Sequence, residues 1–449
     1  MKHYDIICVG AGPTNIFLAL SLMNTDKSIL IIDKGKNIYS RSCPKLKTGK
    51  CVHCSPCNIT NGFAGAGTFS DCKLTYSSEI GGNLIDYIGE ENFYKYQDEV
   101  DKIFTKYGGK EEYSYDEDFA NNLQYECSKY GMKLLKGKVR HLGSDGSQKV
   151  MKNIYDDLIN SSNITIINNC EVVYIDFRNN IVITKEDKYS YSYISVAVGR
   201  SGSDWLNKLC TDNNITVKSG DIDIGVRVEC PRAITDPVTD KLYEFKIVNY
   251  VNDKKCRTFC VNPGGAVVQE NYDDIACVNG HSLSDNATLN TNFALLVTSH
   301  FTEPFNQPYE YAKSICKLTN MLAGGKPIVQ RLIDLKNKKR STKDRMARLS
   351  IIPTLKDAEP GDLRYCLPES ILETIVETID NLNNIMPGIN GKDTIFYATE
   401  IKRNGNVIDV NEKLSPVNYS NVFFAGDSSG ISRGIIQAAI AGMYIAKNI

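Results

Sequence analysis

Two groups of residues in this chain have types and spacings suited to chemistry. The first is a run of thiols: Cys43 next to Pro44, then Cys51, Cys54 and Cys57, all within 15 residues. Three cysteines at two-residue spacing, with a fourth beside a proline, suit all-sulfur ligation of an iron–sulfur cluster or of tetrahedral zinc. They equally suit redox-active or merely structural thiols, and the three readings stay open. His53 lies between these cysteines and reads as a solvated loop residue. The second group is Gly10-Ala11-Gly12-Pro13-Thr14-Asn15, followed by Asp33. Gly10 permits a tight turn, Gly12 lets backbone N–H groups approach phosphates, and the next helix offers its positive end. Asp33 stands where an acid can accept hydrogen bonds from ribose hydroxyls. Asn15 occupies the place where a third glycine is usual, so either the helix–strand contact is looser there or Asn15 makes a bond of its own.

These groups need elements to position them. Tyr4–Val9 is a short apolar run of strand type, Ile16–Leu22 has helical periodicity, and Ser28–Ile32 is a second buried-strand run that Asp33 closes. Together they make a βαβ unit of about 30 residues. Residues 39–74 are rich in Gly, Cys, Ser and Thr and read as a long functional loop. Helical patterns follow near 84–107 and 148–159, and strands near 164–168, 171–176, 181–184 and 193–198. The pattern then shifts. Residues 221–300 carry strand runs such as Asp223–Glu229 and turns such as Asn262-Pro263-Gly264-Gly265, with helical stretches at 309–322 and 368–385. Strand and helix return at Thr394–Thr399, Val422–Ala425 and Gly434–Lys447. This predicts an α/β chain: a three-layer Rossmann-type domain with a parallel sheet, made of residues 1–90, 135–220 and 394–449. A helical insertion spans 91–134, and an α+β substrate or cap domain spans 221–393.

The segment Asn421–Asp427, with Arg433–Gly442 after it, is a buried strand ending in Gly426-Asp427 and then a small-residue helix. It resembles the C-terminal FAD motif of glutathione-reductase-like flavoproteins. That resemblance implies that Asp427 bonds the ribityl chain and that the helix beginning at Gly434 and Ile435 points at the flavin. Ser195–Gly202 is similar to the segment by which such chains return to the FAD domain. Cys43-Pro44, the cysteine triple, Gly65-Ala66-Gly67-Thr68-Phe69-Ser70-Asp71, His141–Asp145, Asp223–Arg227, Arg257–Gly265 and Val278–His281 together resemble uncharacterised bacterial FAD-dependent dehydrogenases over nearly the whole chain. The resemblance implies FAD held by Gly10, Gly12, Pro13, Thr14, Asn15, Asp33, Lys34, Arg41, Gly65, Gly67, Val173, Gly199, Gly426, Asp427, Gly434 and Ile435, with Arg41 on the pyrophosphate. Members of that family usually have glycine where this chain has Cys72, so Cys72 is either a thiol partner of the flavin or a tolerated small residue.

The function implied is an FAD-dependent oxidoreductase that moves hydride or electron pairs between the flavin and a small organic substrate. A [4Fe–4S] cluster in the cysteine loop is a further expectation. No second Gly-x-Gly-x-x-Gly follows a strand, so electrons are expected from a ferredoxin- or flavodoxin-type donor rather than a dedicated nicotinamide domain. Gly12-Pro13-Thr14-Asn15 also resembles N-hydroxylating monooxygenases, which need that missing second nucleotide site. Lys336, Lys338, Lys339, Arg340, Lys343, Arg345 and Arg348 form a basic run, either a solvated face or a footprint for an acidic protein or RNA. His281 and His300 read as packed or surface histidines.

A net charge of −1 over 449 residues suggests neither a nucleic-acid nor a membrane partner. With no apolar run of membrane-spanning length and no secretory h-region after Met1, the expectation is a cytoplasmic protein with reduced thiols.

Overall fold

The computed structural model describes residues 1–44, 52, 54–69, 72–272, 275–281, 287–403 and 405–449. The chain forms two compact units. One comprises Met1–Tyr113, Gly137–Lys218 and Gly405–Ile449, the other Ser114–Lys136 and Ser219–Asn404.

The first unit is built on a sheet whose parallel centre has the expected βαβ origin. The strand Lys2–Val9 lies between Ile29–Ile32 and Lys188–Val196, and all three run parallel. Ile164–Ile167 extends the parallel order on one side and Val422–Phe424 pairs with Lys188–Val196 on the other. Ile181–Thr184 and Val172–Asp176 add an antiparallel margin. Ile6, Ile7, Cys8 and Val9 are all buried, as are Ile29 to Ile32. Unbroken apolar runs of this kind belong to strands covered on both faces. The helix Pro13–Ser21 packs on the C-terminal helix Ile435–Lys447, which in turn packs on Leu84–Lys106. The fold is therefore α/β and Rossmann-type, as its sequence pattern predicts.

The second unit is organised around a largely antiparallel sheet in which Ile222–Pro231 and Asn290–Ser299 are central. Lys254–Pro263 flanks the latter, and Ile395–Arg403 flanks the former. On Ile222–Pro231, Ile222, Ile224, Val226 and Val228 alternate with Asp223, Gly225, Arg227 and Glu229. The apolar set joins a core shared with the helices Glu117–Ser128, Arg232–Leu242 and Glu369–Leu382.

Two boundaries differ from the sequence expectation. The stretch 91–134 is not one insertion. The helix Leu84–Lys106 buries Phe93, Tyr96, Val100 and Phe104 in the first core, where Phe104 meets Phe17 at 5.1 Å between ring centroids. The helix Glu117–Ser128 buries Ala120, Leu123 and Cys127 in the second. Likewise Ile395–Arg403, assigned to the cofactor domain by position, pairs in register with Ile222–Glu229 and Ile328–Arg331. Apolar periodicity shows that an element has a buried face but not which core buries it.

Candidate functional site

The glycine turn at the end of the first strand is built for a close approach. Gly10 has φ +92°, and a Cβ there would lie 2.7 Å from the carbonyl oxygen of Ala197. Gly12 caps the helix Pro13–Ser21 from an extended conformation without a side-chain hydrogen bond, with Pro13 in its first turn. Uncapped N–H groups and the helix dipole give this end a positive character suited to an anion.

Asn15 has its own role. Its Nδ2 donates to the carbonyls of Val9 (3.0 Å) and Gly10 (2.7 Å), while its Oδ1 accepts from the Ser195 hydroxyl at 2.6 Å. A buried amide thus ties the turn to the neighbouring parallel strand. Close helix approach is supplied elsewhere, by Gly442, whose added Cβ would lie 1.9 Å from the carbonyl oxygen of Thr14.

Asp33 takes its expected place at the end of the second strand, and its carboxylate is partly committed. Oδ2 accepts from the Ala11 N–H at 2.8 Å and Oδ1 from the Gly35 N–H at 2.7 Å. The same acid that would meet a ribose therefore also shapes the turn. Lys34 donates to the Ser201 carbonyl at 3.3 Å.

Arg41, the residue expected on the pyrophosphate, is tied to loop carbonyls. Its guanidinium is buried and donates to the carbonyls of Asn58 (3.0 Å), Ile59 (2.7 Å), Gly65 (2.9 Å) and Phe63. Burial pushes its pKa down to about 10, with Asp33 and Cys57 opposing, so it stays charged at neutral pH. A guanidinium surrounded by carbonyls organises the 58–65 loop. That loop reaches the glycine turn: the Ala64 N–H donates to the Ala11 carbonyl at 2.7 Å. A Cβ on Gly65 would sit 3.6 Å from Gly12, and one on Gly67 would sit 2.9 Å from Ile435.

The C-terminal motif arrives at the same place. Gly426 has φ +82° and lies against Ala197, the residue that faces Gly10. Asp427 is half-buried and accepts from Arg200 Nε at 3.2 Å. Gly434, with φ +81°, starts the helix Ile435–Lys447 without a side-chain cap, and an added Cβ there would meet nothing within 4 Å among the described residues. Gly199 is similarly open. Val173 is exposed, and its carbonyl accepts from Trp205 Nε1 at 2.9 Å.

Of the cysteine quartet, Cys51 lies outside the described residues, as does His53. Cys43 and Cys54 are half-buried and Cys57 is exposed. Among the described residues no group of three or more His, Cys, Asp or Glu side chains is disposed to hold a metal ion. Cys54 and Cys57 instead line a cavity of about 510 Å³ together with Lys34, Asn61, Cys170 and Ser201. Burial pushes the Cys57 thiol up, but hydrogen bonds from the backbone of Thr60 and Ile59 and the Thr60 side chain, with Arg41 nearby, outweigh it and hold the thiol below its ordinary value.

Cys72 is buried and has φ +46°, with its carbonyl accepting from Leu142 N–H at 3.2 Å. A left-handed backbone is where glycine is preferred. His300 is exposed on Asp221 at 2.9 Å and His281 is exposed at a strand end. Part of the basic run is used within its own unit: Lys336 pairs with Asp380, Arg345 lies 3.7 Å from Asp334, and Arg340 donates to the Pro360 carbonyl. No helix among the described residues is long and apolar enough to cross a membrane.

Residues 221–403 match the family described as FAD-dependent protein, C-terminal domain-like. An uncharacterized protein of Clostridium beijerinckii is 25% identical over 468 residues, an alignment covering 99% of this chain and 80% of that one. Among solved structures, glycine oxidase from Geobacillus kaustophilus aligns at TM-score 0.41 and 9% identity, over 100% of this chain and 94% of that one. L-proline dehydrogenase from P. horikoshii aligns at TM-score 0.38 and 10% identity, over 99% and 93%. Likeness that low has no bearing on substrate.

Proposed function

We propose that the chain is an FAD-dependent oxidoreductase acting on a small organic substrate. The observation that carries this is the convergence around Ala197. The turn at Gly10 and the turn at Gly426 both lie against it, and the loop glycines Gly65 and Gly67 bridge the starts of two uncapped helices. A dinucleotide needs this combination of backbone N–H groups, helix ends and space that a Cβ would fill.

The residues present fit FAD. The N–H groups after Gly12 would hold the pyrophosphate, with Asp33 toward the ribose and Asp427 toward the ribityl chain. The open start of the helix at Gly434 and Ile435 would face the flavin end. When bound, FAD would supply two-electron redox chemistry, while the protein supplies placement and electrostatics. Arg41 keeps the 58–65 loop folded over the turn, and Asn15 locks the turn to Ser195. Arg200 holds the Asp427 carboxylate through a hydrogen bond, so its orientation is set before a hydroxyl arrives.

The electron source in this reading is a small redox protein of ferredoxin or flavodoxin type, because the sequence carries one dinucleotide turn and no second. The cysteine loop enters as thiols in place of a [4Fe–4S] centre. Support for that is the shared cavity of Cys54 and Cys57 and the fixed neighbourhood of Cys57. Purified protein should be yellow and release FAD on denaturation. Release of FMN, or a colourless chain that cannot be reconstituted, would reject the reading. Iron and sulfide assays on protein prepared without oxygen decide the loop: about four irons per chain would restore the cluster.

A further inference from the structure

Within the second unit, the strand Ile275–His281 pairs with Ala266–Tyr272 as an antiparallel hairpin. Alternation along the strand sends Ile275 and Cys277 to one side and Val278 to the other, where it joins Val267, Val329 and Tyr397. Cys316, on the helix Pro308–Leu322, packs with Ile275 and Cys277. Asn320 lies four residues further on and shares that helix face. Its Oδ1 accepts from the Ala276 N–H at 2.8 Å, and its Nδ2 donates to the Ala276 carbonyl at 2.9 Å. One buried amide thus bonds both backbone polar groups of the residue beside Cys277 and fixes the strand against the helix. Held in this way, the Cys277 and Cys316 sulfurs lie 3.5 Å apart, and both side chains are buried. The Cys316 S–H has the Ala276 carbonyl as acceptor at 3.4 Å, so the proton between the sulfurs is that of Cys277. Other buried thiols of this unit turn to backbone instead: Cys230 to the Thr291 carbonyl and Cys366 to that of Leu363.

We propose that Cys277 and Cys316 are a site of reversible oxidation, a dithiol that a small hydroperoxide converts to a disulfide joining the hairpin to the helix. A disulfide needs about 2.05 Å between its sulfurs, so the two must approach by about 1.5 Å. Cys316 is the attacking thiol. The hydrogen bond from Cys277, helped by the Thr399 hydroxyl, holds it below its ordinary value against burial, while the same bond and burial push Cys277 up. The charges that reach Cys277, those of Glu270 and Lys402, act on it in opposite directions. In the first step the Cys316 sulfur attacks one peroxide oxygen. The S–O bond forms, the O–O bond breaks, and the other oxygen leaves as water with the Cys316 proton, giving a sulfenic acid. The Cys277 sulfur then attacks the Cys316 sulfur. The S–S bond forms, the S–O bond breaks, and the hydroxide leaves with the Cys277 proton as a second water. Two thiols lose two electrons and the peroxide takes them. A thiol reductant reverses the reaction by exchange. Both sulfurs belong to the second unit, so the proposal stands apart from the cofactor reading of the first.

The experiment exposes the full chain, as purified and free of reductant, to hydrogen peroxide. Remaining thiols are blocked with iodoacetamide, and an unreduced digest is read by mass spectrometry. A peptide pair joined through Cys277 and Cys316 should appear, lighter by two hydrogens than the sum of its parts, and should vanish after dithiothreitol. Circular dichroism before and after oxidation should coincide, which places the link in the folded chain. The oxidised chain should also unfold at a higher temperature than the reduced one, since a cross-link between residues 39 apart restricts the unfolded ensemble. Cys277→Ala should leave Cys316 as a sulfenic acid that dimedone labels, whereas Cys316→Ala should leave Cys277 unlabelled. The parent's cross-link decides the proposal even if neither variant folds. Two free thiols after peroxide treatment, sulfinic acid at either position without the link, or pairing of either sulfur mainly with a different cysteine would overturn it. So would a link that forms only once the fold is lost.

Discussion

The two sheets of this protein present chemistry in opposite ways. The parallel sheet of the first unit is apolar on both faces, so polar work is confined to the carboxyl ends of its strands, where Gly10, Asp33, Ala197 and Gly426 lie. The antiparallel sheet of the second unit is apolar on one face, while the other mixes buried charged groups with a smaller apolar cluster of Val329, Ile395 and Tyr397. Glu229, for example, accepts from the Tyr397 hydroxyl at 2.6 Å and from Asn290 at 2.8 Å. Burial and the charge of Glu229 together push the Tyr397 hydroxyl well above its ordinary range, which keeps its proton in that bond. A sheet covered on both sides can offer a ligand only its rim, whereas a sheet with a polar face can offer its surface.

The largest test of that contrast is Arg227→Leu. The guanidinium is fully buried between Asn292, Glu400 and the Cys260 carbonyl, and a Cβ on Gly280 would lie 1.6 Å from it. Removing it strands Glu400, which Lys402 alone must then satisfy. Breaking a buried pair in this way costs about 3–5 kcal/mol, read as a fall in the denaturant midpoint. A loss under about 1 kcal/mol would show that the polar face is not an interlocked network.

At the rim of the other sheet, Asp427→Ala should leave the fold intact and weaken FAD retention by about tenfold, the scale of one charge-assisted hydrogen bond. Flavin content after gel filtration reads it. Unchanged retention would mean that the carboxylate serves only Arg200.

A subtler test concerns acid stability of the first unit. Asp101 takes both Arg140 Nε and Nη2 at 2.7 Å and the Tyr113 hydroxyl at 2.8 Å. Burial raises the Asp101 carboxyl, but the bonds from Arg140 and Tyr113 and the guanidinium charge outweigh it and hold the carboxyl below its ordinary value. A depressed folded pKa gives stability that is complete above the unfolded carboxyl value of about 3.9 and is lost as pH falls through the folded value. Asp101→Asn should therefore destabilise the chain at neutral pH and flatten the acid limb of its stability curve. An acid limb as steep as the parent's would remove Asp101 from the account.

How much of this was legible in the sequence follows from the same contrast. The positions of Gly10, Gly12, Asp33 and Gly426-Asp427 just past strand ends were readable because they stand at fixed offsets from apolar runs. Asn15 was readable as a departure, though not for its bonds to Val9 and Gly10 or for the one to Ser195, 180 positions away. The carbonyl bonds of Arg41 were not readable, because an arginine near a phosphate turn looks the same in sequence whether or not loop carbonyls surround it. The network of Arg227 with Asn292, Glu400 and the Cys260 carbonyl went unread. Its members come from separate strands, so only register brings them together. The alternation of Asp223, Gly225, Arg227 and Glu229 was the available signal.

The smallest expected effect, and the sharpest for one residue, is at Cys72. The sequence left it between a thiol partner of the flavin and a tolerated small side chain. Its φ of +46° is a backbone conformation in which glycine is preferred. A non-glycine residue in the left-handed region costs about 1–2 kcal/mol, while glycine adds back about 0.4–1 kcal/mol of unfolded-state entropy. Cys72 is also buried, so its removal forfeits some packing. These terms nearly cancel, and Cys72→Gly should change stability by less than about 1 kcal/mol. Turnover and the flavin spectrum should be unchanged if the thiol only fills space. Cys72→Ser is the companion variant, since it keeps the strained backbone and removes the thiol. A loss of turnover in both variants, with FAD still bound, would establish Cys72 as a participant in the chemistry. Loss in neither would make Cys72 a space-filling residue.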